Sequence, residues 1–391
     1  MRLTVIALTL ASLIGCNATH VEPSQPKPQI SFNQTLYPTA NIDVIDEEAL
    51  FSLTPEQQAS FLIYVDNKLA KGKLKHEAIS DFLIERLANF TYFGDTLSAS
   101  QALAQNQGNC MSLAILTTAL AKLVGIEYAY REVITMPVFE KQNNILLSSI
   151  HVQTKLFNES TNDMGIPGIV SRPGIVIDYF PEPDNIKSKY LRYPQFLAMY
   201  YKNIASDALI ANQSDKAFAY AKRAFELDEH NPEILNLMAI IHRRAGDEAT
   251  AESIYKTAMS LDDRNISLLS NYIVLLNAQG RKTEAMVLKD QLTQLDDTNP
   301  YAWLDLAYIA HQNGELNRAE KFYKKTIFIA PYVRAAHIGL FNIYDAHGRE
   351  QMAEDALLDA LEWANGKKER KQIKYKLYGR NQAIEANVNE E

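Results

Sequence analysis

The chain is 391 residues long, 47% hydrophobic and 22% charged, the make-up of an ordinary globular protein with room for two domains. Its net charge of −8 excludes a general nucleic-acid binder and a polybasic grip on anionic lipid.

The N-terminus reads MRLTVIALTLASLIGC, with Arg2 as the charged region and Leu3 to Ile14 as an apolar core too short to span a bilayer. Residues 1–15 are therefore expected to be an export signal. Leu13-Ile14-Gly15-Cys16 resembles a bacterial lipobox, which implies cleavage before Cys16 and a lipid on its sulfur. Asn17 is not the aspartate that retains such proteins in the inner membrane, so the expected location is the outer membrane, facing the periplasm. Residues 16–45, rich in Pro, Asn, Thr and Gln, read as a tether.

Residues 46–197 change period part-way. Thr54-Pro55-Glu56-Gln57 predicts a capping box and a helix to Leu69. Further helices are expected over about 76–90, over Ser98 to Gln105, and over Asn109 to Leu123, stopped by Gly125. Strands follow at Ile126 to Thr135, Ser149 to Phe157 and Gly174 to Phe180. Helices first and strands after them predict an α+β unit with a small antiparallel sheet.

Cys110 carries the chemistry of this unit. With Cys16 expected to carry the lipid, it is the one thiol left, so an internal disulfide does not explain it. It stands where a loop becomes an apolar helix, a place where backbone N–H groups and the helix dipole favour a thiolate. Nucleophilic catalysis also needs a base and a group to orient it. The unit offers His76, at the polar start of a helix, and His151, within a strand. Asp178, a carboxylate inside the apolar run Val176-Ile177-Asp178-Tyr179-Phe180, needs a partner, and His151 would be one. Each residue also has a plain structural reading: a buried thiol, a satisfied core histidine, a turn-capping aspartate.

Helix cysteine, strand histidine and next-strand aspartate, in that order, resemble the transglutaminase-like superfamily, which is related to papain-type enzymes. Tyr92 to Ala99 with Gly108-Asn109-Cys110 is similar to that family's run into its nucleophile, and Ile150-His151-Val152 and Ile177-Asp178-Tyr179 to its next two strands. The resemblance covers about residues 50–190. It implies Cys110 as nucleophile, His151 as general base and acid, and Asp178 as the orienting carboxylate. Tyr92, Gln105 and Gln107 are open candidates for an oxyanion partner. The loop from Met136 to Leu147 either flanks the cleft or simply connects. A zinc site at Cys110, His151 and Asp178 would lack the paired spacing that zinc sites show, and no cofactor is expected.

The rest of the chain is periodic. Gly246, Gly280, Gly314 and Gly348 are 34 residues apart, as are Ala251, Ala285, Ala319 and Ala353. Asn212 and Ala217 extend both series one step earlier. A left-handed turn after one helix, then a small residue where the next packs close, describes a helix-turn-helix unit. Trp303, Leu306, Ala307, Gly314, Ala319, Tyr323 and Pro331 resemble the tetratricopeptide repeat. Residues 198–366 are thus expected to form an all-α solenoid of four good repeats and one degenerate one, and residues 367–391 a capping helix and tail.

The expected function is that of an envelope-anchored cysteine acyl-transfer enzyme acting on an amide of a protein or peptide, by hydrolysis or by cross-linking. The repeats would recruit substrate or partner. The competing expectation is a non-catalytic repeat lipoprotein that acts as an assembly scaffold.

Overall fold

A computed structural model describes residues 30–87, 96–134, 140–142, 145–147, 151–159, 172–179, 186–295, 300–364 and 370–377. The export signal and Cys16 lie outside these residues.

The first unit opens with α1 (Glu47–Phe51), capped by the Asp46 carboxylate, and α2 (Pro55–Leu69). The Thr54 hydroxyl and the Gln57 side chain form the expected capping box on α2. Then come α3 (Lys75–Leu87), α4 (Ala99–Gln105) with a second capping box from Ser98 and Gln101, and α5 (Cys110–Val124). Every residue of α5 from Met111 to Ala121 is buried, so this helix is apolar all round because it is the centre of the unit. Gly125 ends it in the left-handed conformation.

The strands are β1 (Tyr128–Ile134), β2 (Glu140–Gln142), β3 (Ile145–Leu147), β4 (His151–Phe157), β5 (Gly174–Ile177) and β6 (Ile186–Leu191). Four of them make one antiparallel sheet in the order β5-β4-β1-β6. Val152, Thr154 and Leu156 on β4 are fully buried, and β4 packs on α5. A side chain at Gly174 would run into the Leu156 carbonyl, so the β4–β5 approach needs glycine there. The β2–β3 hairpin occupies part of the segment read as cleft wall or connection.

Five helix pairs follow: α6 (Tyr193–Ile210) with α7 (Ser214–Leu227), α8 (Pro232–Arg244) with α9 (Glu248–Leu261), α10 (Ile266–Ala278) with α11 (Lys282–Gln294), α12 (Pro300–Gln312) with α13 (Leu316–Ile329), and α14 (Arg334–Ala346) with α15 (Glu350–Glu362). From α8 onward each pair starts 34 residues after the last. The turn residues Asn212, Gly246, Gly280, Gly314 and Gly348 all have positive φ, between 58° and 82°. No atom lies within 4 Å of a Cβ built on any of the four glycines, so backbone conformation rather than space selects the residue. Ala217, Ala251, Ala285, Ala319 and Ala353 are all fully buried. A short helix over 370–377 closes the array with buried Ile373 and Leu377.

The two halves share a core. One apolar cluster runs from Tyr37 and Leu50 through α5 and the sheet into the repeats as far as Leu306. Tyr130 of β1 is a hinge-pin of this junction, its ring stacked 3.6 Å from Phe196 of α6 and its hydroxyl 2.8 Å from Thr118 of α5. A second cluster takes over from Leu304 to Leu377, so α12 belongs to both. The later part of the expected tether, residues 30–45, packs on the first repeats.

Candidate functional site

Cys110 is the first residue of α5. Asn106 and Gly108 have φ of 51° and 143°, and these two left-handed residues turn the chain from α4 into the helix. Asn109 is the N-cap: its Oδ1 accepts from the Ser112 N–H at 3.0 Å, and its Nδ2 donates to the Thr96 hydroxyl at 2.7 Å. The Ser112 hydroxyl accepts from the Leu97 N–H at 2.8 Å. The turn that presents the thiol is therefore tied to the segment entering α4.

The half-buried Cys110 sulfur lies among backbone N–H groups, those of Val152 on β4 and of Met111 and Cys110 itself. Burial pushes the thiol above its ordinary range, and these N–H groups pull in the opposite direction. Burial is the larger effect, so the thiol lies above its ordinary range. A nearby imidazole would have to take its proton before it could act.

His151 begins β4, one residue from Val152, with its Cα paired to that of Val133 on β1. Its backbone is thus brought next to Cys110, while its side chain lies outside the described residues. Asp178 follows β5, and its Oδ2 accepts from the Gln153 Nε2 at 2.5 Å. The β4–β5 register, Thr154 opposite Ile177, sets Gln153 across from Asp178 and His151 two residues further along β4. Gln153 is a partner of Asp178 that sequence reasoning passed over, because a polar residue alternating on a strand reads as solvent-facing; it is instead buried. The expected contact between Asp178 and the His151 side chain falls outside the described residues.

Behind the cysteine lies a buried hydroxyl network. The Tyr179 hydroxyl bonds Thr117 of α5 at 2.8 Å and Thr154 of β4 at 2.9 Å. It locks the helix that carries Cys110 to the strand that carries His151. Nothing in the sequence singled out these threonines.

His76 is buried, and it sits at the wrong end of α5. The neighbouring Lys75 Nζ donates to the carbonyl of Val124, the last residue of that helix. Cys110 is the first, about 21 Å away at 1.5 Å per residue. The Gln107 amide donates to the Gln105 Oε1 at 2.7 Å on the surface, and Tyr92 lies outside the described residues.

The repeats offer a different kind of surface. Val274 of α10 and Tyr308 of α12 occupy the same position of successive pairs and are both exposed, at 41% and 37%. Buried amides hold neighbouring first helices together, with the Asn271 Nδ2 donating to the Asn236 Oδ1 at 3.2 Å.

The tetratricopeptide repeat family profile matches residues 300–331, the α12–α13 pair. No curated protein matches the chain significantly. Among solved structures, PilF of Pseudomonas aeruginosa is 15% identical with a TM-score of 0.40, over 51% of this chain and 90% of that one. PilW, described as a widely conserved type IV pilus biogenesis factor, is 17% identical with a TM-score of 0.36, over 48% and 92% of the two chains. YrrB, described as a TPR protein with an unusual peptide-binding site, is 16% identical with a TM-score of 0.31, over 46% and 92%. The chain thus carries a tetratricopeptide repeat at 300–331, in an array of helix pairs of the same period, beside a small antiparallel sheet.

Proposed function

We propose that the protein is a binding scaffold whose repeat array takes a peptide segment or partner protein. The observation that carries this reading is the array itself: five helix pairs in register, with side chains such as Val274 and Tyr308 left exposed at one recurring position. Photo-crosslinking residues placed at 274 and 308 should capture a protein partner, and the same residue at exposed Ile63 on α2 should not. Capture at neither array position, or equally at all three, rejects the scaffold.

A second reading is favoured by one specific contact, the Cys110 sulfur against the Val152 N–H, one residue from His151. In this reading the first unit is a transglutaminase-like acyl-transfer site that acts on what the array binds. His151 takes the Cys110 proton, and the thiolate adds to an amide carbonyl. The C–N bond breaks as His151 returns the proton to the leaving amine, and a thioester remains. Water resolves it to an acid, or a second amine to a new amide. Asp178 orients His151, and Gln153 holds Asp178. Alkylation of Cys110 in the full chain should then accelerate near neutral pH and slow at least ~10-fold in His151→Ala. Equal rates in both proteins, rising only in step with a buried thiol's ionisation, leave the scaffold alone.

Lipidation at Cys16 and a periplasm-facing place on the outer membrane complete the proposal, supported by Leu13-Ile14-Gly15-Cys16 and by Asn17. Fatty-acid label should enter the wild-type protein and be lost in Cys16→Ser; label that survives the change removes the anchor.

A further inference from the structure

Residues 30–45 do not behave as a linker. Phe32 meets Phe225 of α7 edge to face at 5.0 Å and stacks on the His242 ring of α8 at 6.1 Å. Tyr37 stacks on Phe218 of α7 at 4.2 Å and meets His242 edge to face at 5.4 Å. Polar contacts flank these rings. Asn33 donates to Asp247 at 3.0 Å, and Lys222 to Gln34 at 3.1 Å. The Tyr201 hydroxyl donates to the Ile45 carbonyl at 2.9 Å, and that of Tyr220 to the Asp43 carbonyl at 3.3 Å. The segment therefore docks on α7 and α8 near its start and on α6 and α7 at its end.

The centre of this contact is poorly satisfied. His242 is fully buried, and neither ring nitrogen has a hydrogen-bond partner. The Tyr37 hydroxyl beside it is also buried without one. A buried polar atom without a partner is costly, so the docking is weaker than its aromatic contacts alone would make it. Among the described residues, the titratable groups facing the imidazole are Tyr37 of the strap and Asp247 at the start of α9, whose Oδ2 is 3.8 Å from Nδ1. Asp215 of α7 acts on Tyr37 in the same sense as Asp247.

We propose that residues 30–45 are a releasable strap, a ligand of α6, α7 and α8 supplied by the chain itself, and that acid opens it by protonating His242. Burial holds His242 below its ordinary value of 6.5, and the Asp247 carboxylate offsets only part of that. The docked form thus binds fewer protons than the released form, in which the ring is wet. Docking is strongest above about pH 6.5 and weakens as the pH falls below it.

Hydrogen exchange of the full chain at pH 7.5 and 5.5, expressed as protection factors, tests this. Protection over 30–45 should fall at least ~10-fold at pH 5.5 while that over α10–α15 holds. His242→Phe keeps the stack without a titrating group, and should protect the strap at both pH values. Phe32→Ala should release it at both. Unchanged wild-type protection, a drop that spreads through α10–α15, or a drop that survives in His242→Phe overturns the proposal. If His242→Phe loses the array's own protection, Phe32→Ala decides alone: a strap still protected in that variant is not held by this socket.

Discussion

The α/β unit and the repeat array bury their side chains in opposite ways. The array solves one packing problem and repeats it: the same left-handed turn, the same buried alanine, the same offset. The unit solves many problems once. α5 is enclosed by several elements, and the hydroxyls of Ser112, Thr117, Thr118, Thr154, Tyr130 and Tyr179 tie it to its surroundings through different contacts. Damage in a repeat reaches its neighbours, whereas damage in the unit reaches everything sharing its core.

The largest test of that contrast pairs two buried tyrosines. Tyr130→Ala and Tyr323→Ala should each cost about 3–5 kcal/mol by analogy with large aromatic truncations. In urea titrations followed by hydrogen exchange, the first should expose α5 and α6 together. The second should expose α12 to α15 and spare α5. A second site sharpens the point. A methyl group at Gly339 of α14 would run into the Tyr323 ring, so Gly339→Ala should cost about 1–3 kcal/mol of overpacking, again confined to the last pairs. Smaller still, Tyr179→Phe unties α5 from β4 and should cost about 0.5–1.5 kcal/mol. Asn109→Ala removes the N-cap under Cys110 for about 1 kcal/mol, and should change Cys110 alkylation more than it changes global stability.

The mildest effect is one of pH. Arg281 and Lys256 hold Glu252 down to about 2, and Lys324 and Arg349 lower Glu320, which stands two repeats on. Both acids have folded values below their unfolded 4.5, so their contribution is present above pH 4.5 and is lost as the pH falls below it, toward about 2 for Glu252. Glu252→Gln should flatten that part of the stability-versus-pH curve. Met286 takes the intervening position, and Glu315 and Asp290 stand where the neighbouring repeats carry Arg and Lys, so the α11 repeat should contribute least to the acid transition.

The array was legible because its period writes each constraint several times over; Asn212 is recognisable as a turn only through Gly246 and the glycines after it. Capping boxes at Thr54 and Ser98 and the stop at Gly125 were legible because they are local. The cysteine's place at a helix start was legible for the same reason. β6, which returns from 186–191 to pair with β1, was not, because its partner is more than fifty residues away in sequence. Gln153 beside Asp178 depends on strand register, and the hydroxyl network on α5 meeting β4; neither leaves a mark on composition or spacing. Residues 30–45 misled for a related reason. Their Pro and Asn content describes the backbone, while Phe32 and Tyr37, which decide where the segment goes, are two residues among sixteen.

The docked strap also fixes where the chain comes from. It enters beside the first helix pair, so the α14–α15 pair stands at the far end of the array. With Cys16 acylated as proposed, fourteen Cα-to-Cα steps separate Cys16 from residue 30, a reach of at most about 50 Å. Letting go of residues 30–45 roughly doubles that leash. The same sixteen residues would then set how far from the bilayer the protein can work.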